Sequence, residues 1–303
     1  MAINLFAEII IVTNSETTRK RIENIGTQVL NDLGKDSSCK RSNVNFQVKV
    51  CPVTNKREQL VIGIKAAKTE LIVLADDHVF FKPQFVTDVT SVFEKPLVGL
   101  CGTRKSVRRQ ALKATTVWGK YWKRYWNFLG STYLAQNDFR ARCTNAADGG
   151  VNVVSGRALF VRRKIVQDPK FISKYLNERF LFGLFGPLNS DDDNFLTRWV
   201  TKEGWEIKIQ DTYEATVKTT LGQQHKFIGQ CLRWARTTYR SNLCSLLTDR
   251  TAYAALTFYV TDWTGRKLDN PDEISFSFAL SVDGVPVKGK EPVNRAQKTI
   301  RTI

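Results

Sequence analysis

The sequence predicts an α/β fold: a mostly parallel sheet with flanking helices, followed by a small β appendage. Apolar stretches of strand length at residues 7–13, 44–50 and 71–75 alternate with helical stretches at 17–33 and 58–68. That order, strand, helix, strand, helix, strand, is the mark of parallel strands joined by crossover helices. The third strand, Leu-Ile-Val-Leu-Ala, has no polar alternation, as befits a strand buried on both faces, and it runs straight into Asp76, Asp77 and His78. Ligands of open α/β sheets bind at that end of the strands.

Each element has its own warrant. Ala-Glu-Ile-Ile-Ile-Val-Thr at 7–13 reads as a buried strand, and 17–33 as a helix with Ile22, Ile25, Val29 and Leu33 on one face. Residues 36–43 form a polar loop. Residues 44–50 alternate apolar and polar side chains and end at Cys51-Pro52, leading through Asn55-Lys56-Arg57 into the helix 58–68. A short helix is expected at 85–93 and a strand at 98–107, opening into the basic residues Arg104, Lys105, Arg108 and Arg109.

Trp118, Tyr121, Trp122, Tyr125, Trp126 and Leu129 then fall at helical spacing, with Lys120, Lys123 and Arg124 among them. A helix over 118–134 would be about 25 Å long, short of a bilayer core and interrupted by charge. It either packs on the sheet or lies at a membrane interface. Residues 151–161 read as a strand interrupted by Ser155-Gly156-Arg157, and Asp191, Asp192 and Asp193 open a helix through Leu196, Trp199 and Val200. Acids suit a helix's first turn, but three in a row exceed what capping requires. A short strand at 205–209 and a helix at 229–247 follow.

Beyond Asp262 the pattern changes. Ile274, Phe276, Phe278, Leu280 and Val282 alternate strictly, Asp283-Gly284 is a hairpin turn, and Pro286 belongs at a sheet edge. The expected organisation is a catalytic-type domain over 1–250 and an appendage of hairpin and basic tail over 251–303.

Composition narrows the partners. Lys plus Arg number 46 against 29 Asp plus Glu, a net charge of +17, which favours a polyanion: nucleic acid, an anionic membrane surface or a phosphate-bearing substrate. The six cysteines are far apart with no Cys-x-x-Cys, so neither a zinc site nor a disulfide scaffold is signalled, and a reducing, cytosol-facing compartment fits. No window approaches the roughly 20 apolar residues of a membrane span. The first twelve residues, with Glu8 inside the apolar run, do not read as a signal peptide.

At the end of the third strand, two carboxylates and an imidazole suit a divalent cation, which in turn suits a diphosphate. The same residues also read as an acidic turn. Four elements in order decide between these readings: Asn55-Lys56-Arg57, Asp76-Asp77-His78, Asp191-Asp192-Asp193 and Gln230-x-x-Arg233-Trp234. Together with Asp148-Gly149-Gly150, Ser155-Gly156-Arg157, Leu196-Thr197-Arg198 and the run from Arg236 to Asn242, this series resembles the family 2 glycosyltransferases that build polysaccharides processively, above all the hyaluronan-synthase-like enzymes of fungi.

The resemblance implies a GT-A-like nucleotide-sugar-binding fold, a UDP-sugar donor, a polysaccharide acceptor, inversion at the anomeric carbon and Mg2+ or Mn2+. By position, Lys56 and Arg57 would hold the nucleotide side of the donor. Asp76 would hold the metal-diphosphate, with Asp77 or a neutral His78 as the other ligand, since His78 stands where the family's motif has its second acid. Asp193 would be the catalytic base with Asp192 beside it. Arg233 would steady the departing diphosphate, Trp234 would line the acceptor channel, and Gln230 would bind substrate beside them. The resemblance also implies a strand ahead of residue 7 and membrane helices after residue 240, so the chain reads as a member cut at both ends, associated with the cytoplasmic face of a membrane. Two other classes of function remain in view. One is a catalytically incomplete relative that binds a membrane surface or a full-length synthase. The other is a nucleic-acid binder, favoured by charge and by aromatics interleaved with Lys and Arg.

Overall fold

The computed structural model describes residues 6–35, 44–107, 116–180, 183–189, 191–220 and 224–244. The hairpin and tail expected beyond residue 250 lie outside these described residues, as do Arg108 and Arg109.

The first half follows the predicted alternation. Strand β1 (Glu8–Thr13) leads to α1 (Glu16–Lys35), β2 (Asn45–Val50), α2 (Lys56–Ala66) and β3 (Leu71–Ala75). β1 and β2 pair in parallel, Glu8 opposite Asn45 through Thr13 opposite Val50. α2 starts where Asn55 accepts from the Arg57 N–H at 3.0 Å, the usual way a side chain satisfies a first-turn donor.

β4 (Val79–Phe80) and α3 (Phe85–Ser91) follow, and the strand expected at 98–107 divides in two at Arg104. Its first part, β5 (Val98–Thr103), is buried at every position and lies in the central sheet; its second, β6 (Lys105–Val107), belongs to a small side sheet. Helix α4 (Val117–Asp148) runs far beyond the predicted end at 134, for about 48 Å. Then come β7 (Ala158–Arg162), α5 (Arg163–Val166), α6 (Pro169–Leu176), α7 (Asp192–Lys202), β8 (Glu206–Gln210), β9 (Val217–Thr219) and α8 (Gln224–Cys244).

The central sheet has the order β3-β7-β5-β8. β5 and β8 are parallel, but β7 runs antiparallel to both β3 and β5, so the sheet is mixed. β1 and β2 form a separate two-stranded parallel sheet, and β4, β9 and β6 a third. The side sheet escapes sequence reading because its strands have two or three residues each, too short for any periodicity.

Two apolar clusters sandwich the central sheet. One joins Val61 and Ile64 of α2 to Leu100, Leu159 and Val161 of the sheet, Phe171 and Tyr175 of α6, and Phe195, Leu196, Trp199 and Val200 of α7. The other packs Phe85, Val89 and Phe93 on Val98, Cys101 and Phe160. This is the layered solution for a sheet with apolar faces on both sides.

Arg162 sits at the edge of this second layer, nearly buried, because it binds backbone rather than water. Its Nε donates to the Val98 carbonyl at 2.8 Å, Nη2 to the Phe93 carbonyl at 2.7 Å and Nη1 to Glu70 at 2.9 Å. Arg162→Ala would strand two buried carbonyls, so we expect a loss of about 2–4 kcal/mol in urea unfolding. Glu70→Gln, at a largely exposed carboxylate, should cost less than about 1 kcal/mol.

Candidate active site

The C-terminal end of β3, the entry to β7 and the N-termini of α2 and α7 meet at one place, and the acids gather there. Asp76 follows β3, with its N–H donating to the Arg157 carbonyl at 3.0 Å. Arg157 and Gly156 form the turn into β7, and the Gly156 N–H donates to Asp193 Oδ2 at 3.2 Å. Asp193 Oδ1 accepts from the Asn194 N–H at 2.9 Å. A Cβ at position 156 would make ordinary van der Waals contact with Asp193, 3.4 Å from its Cβ and 3.5 Å from Oδ2.

α7 is tied to the segment ahead of β7 through Thr197, whose hydroxyl donates to the Asp193 carbonyl at 2.7 Å and accepts from the Val154 N–H at 3.0 Å. Asp191, the residue ahead of the helix, takes the left-handed conformation at φ 66°, which short polar side chains tolerate better than most. Arg240 of α8 pairs with its carboxylate.

Lys56, at the start of α2, bridges the acids. Its Nζ lies 3.1 Å from Asp192 Oδ2 and 3.4 Å from Asp76 Oδ1. Burial pulls this ammonium down, but Asp192 and Asp76 outweigh it and its pKa is raised. Asp193 moves the other way from an ordinary carboxylate. Burial is the first cause and the charge of Asp192 the second; the Gly156 and Asn194 N–H groups and Lys56 oppose them, leaving it pushed up to about 6. A small cavity lined by Leu74, Leu159, Phe171 and Leu196 abuts the acid pair, which accounts for the desolvation.

Of the residues predicted for the site, Lys56, Asp76, Asp192 and Asp193 are brought together. Arg57 is not with them. It is 1% exposed and turned into the core, with Nη1 donating to the Tyr175 carbonyl at 2.7 Å and Nη2 to Glu178 at 2.5 Å. This corrects the expectation that it holds the nucleotide: a guanidinium so enclosed braces the site from behind. Arg198 takes the other oxygen of Glu178 and donates to Ser241 Oγ at 2.6 Å, so one buried carboxylate ties α2, α6, α7 and α8 together.

Asp77 and His78 pair with each other at 2.9 Å instead of joining Asp76, and the Asp77 side chain is 99% exposed. A carboxylate only accepts, so His78 carries its proton on Nδ1 in this pairing. Among the described residues, no three His, Cys, Asp or Glu side chains form a metal-holding group. Asp76 alone of the predicted trio faces Lys56. It fits a magnesium-type ion, which takes one or two carboxylates and completes its shell from substrate phosphate and water.

On α8, Gln230 is half-buried and Arg233 exposed. Trp234 stacks on Tyr133 of α4, with ring centroids 5.6 Å apart and planes 9° from parallel, and Arg157 lies 5.8 Å from its ring centre. Arg157, Glu178 and Arg240 had no site role in the sequence. Arg157 stood in a quoted motif, whereas Glu178 lies in a stretch with no pattern to read.

A profile of the glycosyltransferase-like family 2 matches residues 8–253. The chain belongs to this family. Relatives share its sequence over most of its length: a type 2 glycosyltransferase of Gibberella zeae is 35% identical over 199 residues, covering 66% of this chain and 36% of the relative. One from Pyricularia oryzae is 32% identical, covering 69% and 41%. An NDP-glycosyltransferase of Aspergillus luteorubrus is 30% identical, covering 78% and 54%. The chain thus spans less than two thirds of the length of these relatives. A solved mannosyltransferase of Pyrobaculum calidifontis, in complex with GDP-Man and Mn2+, aligns with a TM-score of 0.44 at 11% identity, over 79% of this chain and 63% of its own.

The raised Asp193 pKa has a consequence for stability. The folded chain holds this proton more tightly than an unfolded chain with the ordinary value of 3.8. Protonation therefore favours folding; the contribution is full below the ordinary value and is lost as pH rises through about 6. Asp193→Asn removes the charge but keeps an acceptor for only one of the Gly156 and Asn194 N–H groups, which donate to different oxygens of the carboxylate. The lost bond is common to all pH values, so the stability of the variant relative to the parent should move in the variant's favour by about 1–2 kcal/mol between about pH 4 and pH 7.5, as read by urea unfolding.

Proposed function

We propose that this family 2 domain carries out inverting transfer of a sugar from a UDP-sugar to a growing polysaccharide, in the manner of a hyaluronan-synthase-like enzyme. The observation that supports this reading most directly is Asp193: a partly buried carboxylate, held by two backbone N–H groups, with its pKa pushed up to about 6. A general base needs that combination of fixed geometry and a pKa close to the working pH. In the reaction, the acceptor oxygen bonds to the anomeric carbon and its proton passes to Asp193. The bond from that carbon to the diphosphate oxygen breaks, and the electron pair leaves with the diphosphate. One displacement of this kind inverts the carbon.

Lys56 stands between the base pair and Asp76, where it can turn from the carboxylates to phosphate oxygens. Asp192 keeps the base from ionising too readily. Asp76 would hold a divalent ion, which when bound supplies positive charge for the diphosphate. Trp234 on α8 is the residue this reading places on the acceptor side.

Asp193→Asn should lower transfer by a factor on the order of 10² or more while leaving nucleotide binding within about twofold. In the parent, log kcat/KM should rise with pH up to about 6 and then level off, and the variant should lose that dependence. Equal loss of binding and turnover would remove Asp193 from the role of base. Asp76→Asn should instead weaken nucleotide binding itself, and only when manganese is present.

Membrane association is part of the same proposal, supported by the first half of α4. Trp118 is 84% exposed, and Tyr121, Trp122, Tyr125 and Phe128 are all more than half exposed, with Lys120, Lys123 and Arg124 between them. Among the described residues, no helix is long and apolar enough to cross a membrane. An aromatic and basic helix of this kind suits an interface with anionic lipid, each basic residue adding about 1 kcal/mol near the surface. In liposome flotation, the chain should bind phosphatidylserine vesicles in preference to phosphatidylcholine ones, and Trp118→Ser with Trp122→Ser should abolish the binding. Equal recovery on both vesicle types would refute the interfacial role.

A further inference from the structure

The other arginines around the site are held by acceptors: Arg57 by Tyr175 and Glu178, Arg162 by three carbonyls and Glu70, Arg198 by Glu178 and Ser241, although the Nε of Arg57 is itself buried without a hydrogen-bond partner. Arg157 differs. Its guanidinium lies over Trp234 and within electrostatic reach of Asp76 and Asp193. Among the described residues, however, none accepts a hydrogen bond from it, none forms an ion pair with it, and its Nε is both buried and unpartnered. Desolvation pulls its pKa down, the two carboxylates opposing. Only Nε is closed off; the residue is partly buried, so its terminal nitrogens, which no described residue engages, stay open to a ligand that brings oxygen atoms to them.

Its backbone leaves little freedom in where that ligand can be. The Arg157 carbonyl accepts from Asp76, and the preceding Gly156 holds Asp193, so the residue is pinned between the acid of the donor side and the base. Arg233, which the resemblance assigns to the departing diphosphate, is exposed on α8.

We propose that Arg157, braced against Trp234, is the residue that binds the phosphate oxygens of the nucleoside diphosphate, in place of Arg233. The inference rests on the donor-binding reading given above. A guanidinium offers two parallel donors to phosphate, and the Trp234 ring, with its centre 5.8 Å away, limits where the fork can turn before the ligand arrives. Charge develops on the leaving oxygen as the acceptor loses its proton to Asp193, so a fixed cation beside that carboxylate stabilises both ends of one displacement. Trp234 then acts as a positioning residue, through Arg157.

Calorimetric titration of the 303-residue chain with UDP, inorganic pyrophosphate and uridine, in buffer with Mn2+, tests this. Arg157→Ala should weaken UDP and pyrophosphate about tenfold or more and leave uridine unchanged. Arg157→Lys, which keeps the charge and protects the test if the alanine variant folds poorly, should recover only part of that loss. Arg233→Ala should stay within about threefold of the parent. If both Arg157 variants keep parental affinity for UDP and pyrophosphate while Arg233→Ala loses tenfold, the assignment is overturned and the donor-binding reading survives. If the parent binds neither UDP nor pyrophosphate, the donor-binding reading falls, and this assignment with it.

Discussion

The carboxylate of Glu178 is the point on which the site depends. It is bound by Arg57 on one oxygen and Arg198 on the other, and both guanidinium groups are almost wholly removed from water. Charges in such surroundings are tolerable only in company, and removing one member of the set leaves the others unpaired. The members come from the start of α2, the loop after α6, the middle of α7 and, through Ser241, from α8. Their pairing therefore sets the relative position of four elements at once. The acid pair at the head of α7 and Lys56 at the head of α2 inherit their separation from it, since Lys56 adjoins Arg57 and Arg57 also reaches the Asp191 carbonyl at 3.4 Å.

Beside this brace lies a second, more labile balance. Asp76, Asp192 and Asp193 face Lys56 and Arg157, and neither cation is committed to a single acid. Lys56 divides itself between Asp192 and Asp76 at distances of 3.1 and 3.4 Å, and its side chain is half-exposed. The network behind the site is fixed because its charges are largely buried and paired with one another; the face in front can be rearranged because its ion pairs are long, partly solvated and replaceable by phosphate oxygens. A site of this construction is compact without a ligand and still open to one.

Much of this was legible in the sequence, and what was missed follows a rule. The alternation through β3 could be read because each strand is a continuous apolar run and each helix has its own punctuation. Asp76, Asp192 and Asp193 could be read because acids in those contexts exceed what turns and caps need. The direction of β7 could not, since an apolar strand of five residues carries no sign of which neighbour it pairs with or which way it runs. Nor could the inward turn of Arg57, because adjacent Lys and Arg at the start of a helix look alike on paper, and the difference lies in Glu178, 121 residues away. Glu178 itself stands in a segment with no periodicity, and its role exists only in three dimensions.

Helices α4 and α8 connect this chemistry to the outer surface. Tyr133 of α4 stacks on Trp234 of α8, and Phe227 meets both rings edge-on at centroid distances of 6.1 and 6.5 Å. Further along, α4 is bound to β8, where Asn145 donates to the Ile207 carbonyl at 2.9 Å and accepts from the Ile209 N–H at 2.8 Å. The C-terminal half of α4 is thus part of the core, whereas its N-terminal half carries exposed aromatic residues away from it. One continuous helix joins the two halves, so the exposed aromatic face and the ring that stacks on Trp234 are carried by the same element, and Trp234 in turn lies against Arg157.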